Sequence, residues 1–181
     1  MRLARAIALL TCLAVSGCTA TASDAVERGD DIRLSSGGAA ELCVPVGSAS
    51  SETDVVFAAE PLDNVSDEDI RIVSVRLSKS ARVRVVKALV APPTMREVLP
   101  LVDDSWPGSG VPTSAVDGME QIPGALIPPR GEEEPPLLVL HLAATKDARV
   151  SAVEIDYTQA GSDVVRRSQP SAVAVRMPAR C

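Results

Sequence analysis

Aromatic side chains are almost missing from this chain: Phe57, Trp106 and Tyr157 are the whole set among 181 residues. Surfaces that hold sugars or single-stranded nucleic acid usually stack their ligands on several aromatic faces, so this composition disfavours such a platform. Histidine is as scarce, with His141 alone. A zinc site with two imidazoles is therefore impossible, and a Ser-His-carboxylate triad would have no second imidazole to spare. Also missing are G-x-S-x-G, S-x-x-K, C-x-x-C, H-E-x-x-H and a Gly-rich phosphate loop. Each of those spacings places a nucleophile, a metal or a phosphate. An enzyme built here would have to work with carboxylates alone. The expectation is a protein without catalytic activity and without a cofactor.

What is present begins with the N-terminus. Met1 to Arg5 is basic, residues 6–15 (AIALLTCLAV) are apolar, and small residues follow. A basic start, about ten apolar residues and a small-residue exit make a secretory signal peptide. A membrane-spanning helix needs about 20 apolar residues, so this run is too short to stay in the bilayer. Its exit reads Leu13-Ala14-Val15-Ser16-Gly17-Cys18.

That hexamer resembles the lipobox of bacterial lipoproteins, with an aliphatic residue and two small ones ahead of an obligatory Cys. The resemblance covers residues 1–18 only. It implies that residues 1–17 are removed, that Cys18 receives a diacylglycerol, and that the mature protein sits on the extracytoplasmic face of the cell membrane. Two or more acyl chains satisfy the two-signal requirement for stable anchoring. Removal of Arg2 and Arg5 lowers the basic count from 18 to 16 against 24 acidic residues, a net charge of −8. An acidic domain is repelled by nucleic acid and by anionic head groups, which excludes nucleic acid as a partner and leaves the lipid to hold the membrane.

Cys12 leaves with the signal and Cys18 is lipidated, so Cys43 and Cys181 remain of the four cysteines. In an exported, oxidising compartment two thiols read as one disulfide. The alternative, two soft metal ligands, lacks a third ligand nearby in sequence.

Residues 18–40 carry the lipidated Cys and a small, polar, Gly- and Ser-bearing stretch, read as a flexible tether. Strand-like segments then fall at 42–46, 54–59, 69–77, 82–91, 137–143, 148–157, 162–166 and 171–177, with no helical period of helix length. Residues 78–81 (SKSA) read as the connection of a hairpin between 69–77 and 82–91. In both of those strands the alternation slips once, at Ile72/Val73 and at Val85/Val86, and a slip of a two-residue period requires a β-bulge or burial on both faces. The expected fold is all-β, an immunoglobulin-like sandwich over 41–181, with an open barrel as the alternative.

Residues 92–136 interrupt this pattern with ten of the fourteen prolines. That density excludes a central strand or a long helix. The segment also holds Trp106 and apolar punctuation, more than a disordered linker carries, and reads as an ordered strap across the sandwich. Met95, Met119 and Met177 with His141 are soft ligands of the kind copper takes, yet their spacing matches no compact motif. Asp103, Asp104, Asp117 and Glu120 lack the spacing of a calcium loop. Two functions remain: an envelope interaction or binding module that meets a protein partner through its loops and strap, or a carrier of a small ligand or copper in a pocket between strap and sheet. A pocket lined by Trp106, His141 and Met would favour the carrier.

Overall fold

The computed structural model describes residues 26–34, 38–47, 51–131 and 133–181. Among these residues thirteen strands follow one another: β1 (Glu27–Arg28), β2 (Ile32–Leu34), β3 (Ala40–Cys43), β4 (Thr53–Asn64), β5 (Ile70–Ser78), β6 (Ala81–Ala91), β7 (Val102–Asp103), β8 (Glu120–Gln121), β9 (Leu126–Ile127), β10 (Leu137–Val150), β11 (Ala152–Gln159), β12 (Arg166–Arg167) and β13 (Val173–Met177). A 3-10 turn (Pro93–Met95) and one turn of helix, α1 (Thr113–Val116), lie between β6 and β8. The fold is all-β. One sheet runs β1-β12-β11-β5-β9; the other runs β2-β4-β10-β13-β3, with β6 on the free side of β10, β7 on β4 and β8 on β6.

The two sheets enclose the main core. Ile70, Ile72, Val153, Ile155 and Tyr157 from the first sheet meet Val55, Phe57, Leu62, Leu138, Leu140 and Leu142 from the second. The second sheet is covered on its outer face as well. Val56, Ala58, Leu89, Leu137 and Val139 pack there against Leu99, Val111 and Met119 of the strap. This double burial explains why residues 55–59 of β4 and 137–140 of β10 are continuously apolar instead of alternating. The Pro-rich insertion is an ordered cover.

Both slips in alternation are bulges. Tyr157 pairs with Ile72 and Asp156 with Ser74, leaving Val73 as the extra residue of β5. Leu142 pairs with Val85 and His141 with Lys87, leaving Val86 extra on β6. The hairpin, however, is not formed. β5 pairs with β11 and β6 with β10, each in the other's absence, so residues 78–81 carry the chain from one sheet to the other. The link between β10 and β11 turns the same corner alongside it, where the Ser151 N–H donates to the Ser78 carbonyl at 3.3 Å. Both connections need only apolar flanks and a tight turn, so the local pattern cannot separate a hairpin from a sheet-to-sheet crossing.

The N-terminal boundary also moves. Residues 27–34 were expected in the tether, yet Ile32 and Leu34 are buried in the main core and pair with Asn64 and Leu62 of β4. Three residues of alternation amid Gly, Asp and Ser are too short a signal to stand out. The folded domain starts by Glu27, not at residue 41. Cys18 and the signal lie outside the described residues.

The chain ends meet as a disulfide demands. β3 runs parallel to β13, with Arg176 opposite Cys43. Cys43 and Cys181 are bonded, their Cα atoms 6.0 Å apart.

On the outer face of the first sheet, Asp156 is 4% exposed and collects Arg167 at 2.6 Å, Arg76 at 2.9 Å and the Ser74 hydroxyl at 3.0 Å. Burial raises the carboxyl, but the hydrogen bonds from Arg167, Arg76 and Ser74 outweigh it and hold its pKa below the ordinary 3.8. A depressed folded-state pKa contributes stability that is present above the unfolded value and lost as pH falls through the folded one. Asp156→Asn should therefore cost about 2 kcal/mol at neutral pH, discounted because Arg76 is largely exposed. Thermal melts should show a gap of about 5 °C between parent and variant that closes below about pH 4. A gap that is the same at about pH 7 and pH 2.5 would refute the ionic origin.

Candidate functional site

His141 stands in β10, flanked by Val56 of β4 and Lys87 of β6, so it occupies the middle of a sheet and not an edge. Its side chain faces the strap, as the two-residue period from Val139 requires. Trp106, near the middle of the strap, lies flat on the imidazole, with ring centroids 4.5 Å apart and planes 9° from parallel. Nε2 lies 2.7 Å from Asp54 Oδ1. Because a carboxylate only accepts, Nε2 carries the hydrogen. His141 is thus a fixed seat for the strap, closed by Trp106 above and Asp54 beside it. Three surface cavities, one walled by Leu62 and Asp63, one by Asp69 and Arg71 and one by Asp30 and Arg33, have no wall of Trp106, His141 or Met.

The three methionines do not share one face of the sheet. Met177 is in the main core between the sheets, whereas Met119 and Met95 pack under the strap on the opposite face of the second sheet. Among the described residues no group of three or more His, Cys, Asp or Glu could hold a metal ion. Asp103 is spoken for within its own loop: hydrogen bonds from Ser105 and then Ser109 hold its carboxyl below the usual range, despite an opposing push from burial. Glu120 accepts the Leu126 N–H at 3.3 Å.

One concave feature of the surface lies elsewhere, where the strap leaves and rejoins the sheets. Pro92-Pro93 follow β6, Pro128-Pro129 follow β9, and Pro135-Pro136 precede β10. These three pairs wall a cavity of about 420 Å³. Its inner wall includes Leu62 and Val90, two residues of the main core, so the cavity opens onto one end of the space between the sheets. Proline fixes φ, which gives the mouth walls that resist collapse. The size falls in the range of small-molecule sites, which favour the mouths of β-structures.

Polar groups enter from β4 and the strap. Asp63, 6% exposed, is bonded through Oδ2 to Arg130 at 2.8 Å. Asp63 Oδ1 has no hydrogen-bond partner among the described residues. Asn64 donates its amide to the carbonyls of Glu68 at 2.8 Å and Ile127 at 2.9 Å, and so ties β9 to the end of β4. Glu120, Glu133 and Glu134 stand on the rim. Glu134 meets Arg96 at 3.1 Å, an exposed pair of little energetic weight.

Sequence reasoning missed Asp63, Asn64 and Arg130 altogether. The doubled prolines were the available signal: each pair marks a point where the chain must leave or enter a sheet. Nothing in the sequence says that the three points meet. Comparison of the chain with protein families, with curated proteins and with solved structures gives no match.

Proposed function

We propose that this chain is a lipid-anchored binding module of a bacterial cell envelope, without catalytic activity, and that the proline-walled cavity is where it binds. The cavity of about 420 Å³ is the observation that carries the binding reading, because it joins an apolar interior to a few placed polar groups. The anchor rests on the basic start, the apolar run and the lipobox-like exit at Cys18. Cys18 is nine positions ahead of Glu27, so even a fully extended chain keeps β1 within about 30 Å of the lipid. The cell membrane is one partner on this reading, and an envelope protein or a small envelope molecule is the other. A net charge of −8 speaks against nucleic acid.

The immunoglobulin-like form of the sandwich belongs to the same proposal. Two sheets around one core, and a last strand, β13, that lies beside β3, support it. The ribbon of β5-β6 and β10-β11 that bends across a corner is instead a device of orthogonally packed sheets, and supports the open-barrel alternative.

A carrier function is the second reading; the cavity beside the strap would serve it, without the Trp106, His141 and Met lining expected of a carrier. Its copper form draws no support from Met177, which faces the opposite side of the sheet from His141.

Two measurements test the proposal. Metabolic labelling with an alkyne fatty acid should tag the parent chain and not Cys18→Ala; a tagged variant removes the anchor. Affinity purification of the full lipidated chain from its native envelope should recover a species that Leu126→Arg fails to recover. Leu126 is half-exposed on the cavity wall, so the larger side chain can enter the cavity without disturbing the core. Identical recovery by both chains would move the binding site elsewhere.

A further inference from the structure

We infer that the open seam between β5 and β6 takes an extended segment of a partner protein, one that alternates apolar and acidic residues. This surface is separate from the proline-walled cavity. β6 is bonded along one side to β10, whereas β8 covers its other side only at Leu89 and Val90. The Ile122 N–H then donates to the Ala88 carbonyl of β6, and the Gly124 N–H donates to the Ile72 carbonyl of β5. Residues 122–124 thus bridge the two sheets at one end of the seam, and the turn at 78–81 closes the other. Between them, among the described residues, no strand pairs with the outer side of residues 82–87 of β6 or 73–77 of β5. A row of main-chain donors and acceptors left in this way is a template for one more strand.

The side chains set the pattern of that strand. Val75 and Leu77 of β5 and Val83 and Val85 of β6 pack against the main core but are only partly buried, whereas Leu140 and Leu142 of the neighbouring β10 are closed from solvent. A strand added to β6 would cover this floor with every second residue, and its other residues would face outward. Arg82, Arg84 and Lys87 are exposed on that outward side, and Lys87 lies directly opposite His141. Charge is segregated here: residues 70–91 hold six cations and no acidic residue, in a chain of net charge −6. Asp156, Asp147 and Glu52 reach Arg76, Arg82 and Arg84 from elsewhere. Three unmatched cations remain, so the ribbon stays positive. Pairing β6 with β6 of a second copy would set arginine near arginine, and like charges across a strand pair are destabilising. A polyanion without a peptide backbone would match the charge and leave the edge amides and the apolar floor unanswered. A strand with one acidic and one apolar face answers all three.

The test uses the full lipidated chain in nanodiscs, with hydrogen exchange of the amides at residues 82–87 as the readout. The probe is an acetylated, amidated heptapeptide that alternates valine and glutamate, at concentrations where it stays monomeric. At saturation it should slow alternate amides of 82–87 at least tenfold and leave Leu140 unchanged. It should also bind at least tenfold more tightly than a valine–lysine counterpart. Strand pairing uses the N–H groups of every second residue. Of two probes N-methylated at all valines or at all glutamates, one should therefore fail and the other still bind. In the exposed double variant Arg84→Glu/Lys87→Glu the preference should reverse toward the valine–lysine peptide, a gain of binding that misfolding cannot imitate. Equal binding of the glutamate and lysine probes overturns the inference, as does equal binding of the two N-methylated ones. Protection by inorganic polyphosphate as strong as by the peptide assigns the ribbon to a polyanion and overturns it too. Protection without peptide that grows with protein concentration assigns the edge to a second copy, with the same consequence. No protection by any probe overturns it outright.

Discussion

Replacing Cys43 and Cys181 together with serine is expected to lower the melting temperature by about 10–20 °C while leaving a β-type spectrum. The two residues are 138 positions apart. For a loop of that length the chain-entropy treatment gives about 5 kcal/mol of stabilisation, from the conformations denied to the unfolded chain. At this chain size each kcal/mol moves the midpoint by about 2–4 °C. A local effect adds to the global one. Among the described residues β3 has β13 as its sole strand partner, and the backbone bonds beyond it, Val44 N–H to the Arg176 carbonyl and Val46 N–H to the Pro178 carbonyl, are the next ones to fray. Hydrogen exchange at Val44 and Val46 should therefore accelerate more than at Leu140 in the double variant. Calorimetry of the parent with and without reductant gives the same comparison. An unchanged midpoint, with both thiols open to alkylation before reduction, would remove the bridge from the account.

A single methyl group at position 29 should cost about 3 kcal/mol. Gly29 follows β1, and its N–H donates to the Arg167 carbonyl at 2.9 Å, which presses the backbone against the ring of Tyr157. A Cβ built there would stand 2.0 Å from the Tyr157 hydroxyl and 3.0 Å from Cζ. The hydroxyl cannot swing away. Tyr157 is fully buried and donates to Asp31 Oδ2 at 2.8 Å, and Arg166 holds the same oxygen at 3.1 Å. Burial and then the Asp31 bond push the phenol well above its ordinary range, so it remains a donor at any physiological pH. Gly29→Ala must therefore displace β1 or break the Tyr157–Asp31 bond, and overpacking of this kind costs up to about 3 kcal/mol. Tyr157→Phe in the same chain removes the obstructing atom and should restore part of the loss, although Phe alone is destabilising by leaving Asp31 one donor short. Chemical denaturation of the two single variants and the double variant measures the coupling. Additive losses would show that the methyl group is accommodated without meeting the ring.

Several features of this protein were legible before any tertiary information. The all-β class followed from alternating segments without a helical period, and both bulges were visible as single slips, at Val73 and Val86, because a pleated strand cannot change faces without one. The pairing of Cys43 with Cys181 followed from counting thiols. The ordered state of the strap followed from its apolar content, since residues such as Leu99 and Val111 had to bury somewhere. The cavity was not legible. Asp63 sits in a run, PLDN, that reads as an ordinary turn, and its partner Arg130 is 67 positions away in a loop of prolines.

The division follows the range of the forces involved. Local steric rules and the two-residue period act between neighbours, so the chain's own order of residues decides strand, bulge, turn and proline break. Pairing acts between segments, and an apolar face is satisfied by any other apolar face. The sequence could therefore not tell whether β5 would fold back on β6 or cross to the opposite sheet, and only packing both sheets around one core chose the crossing. The same choice carried residues 27–34 into the domain, seated Trp106 on His141, and brought three distant proline pairs around one buried carboxylate. Chemistry at that mouth depends on side chains drawn together across the whole chain, and it came into existence only with the tertiary fold.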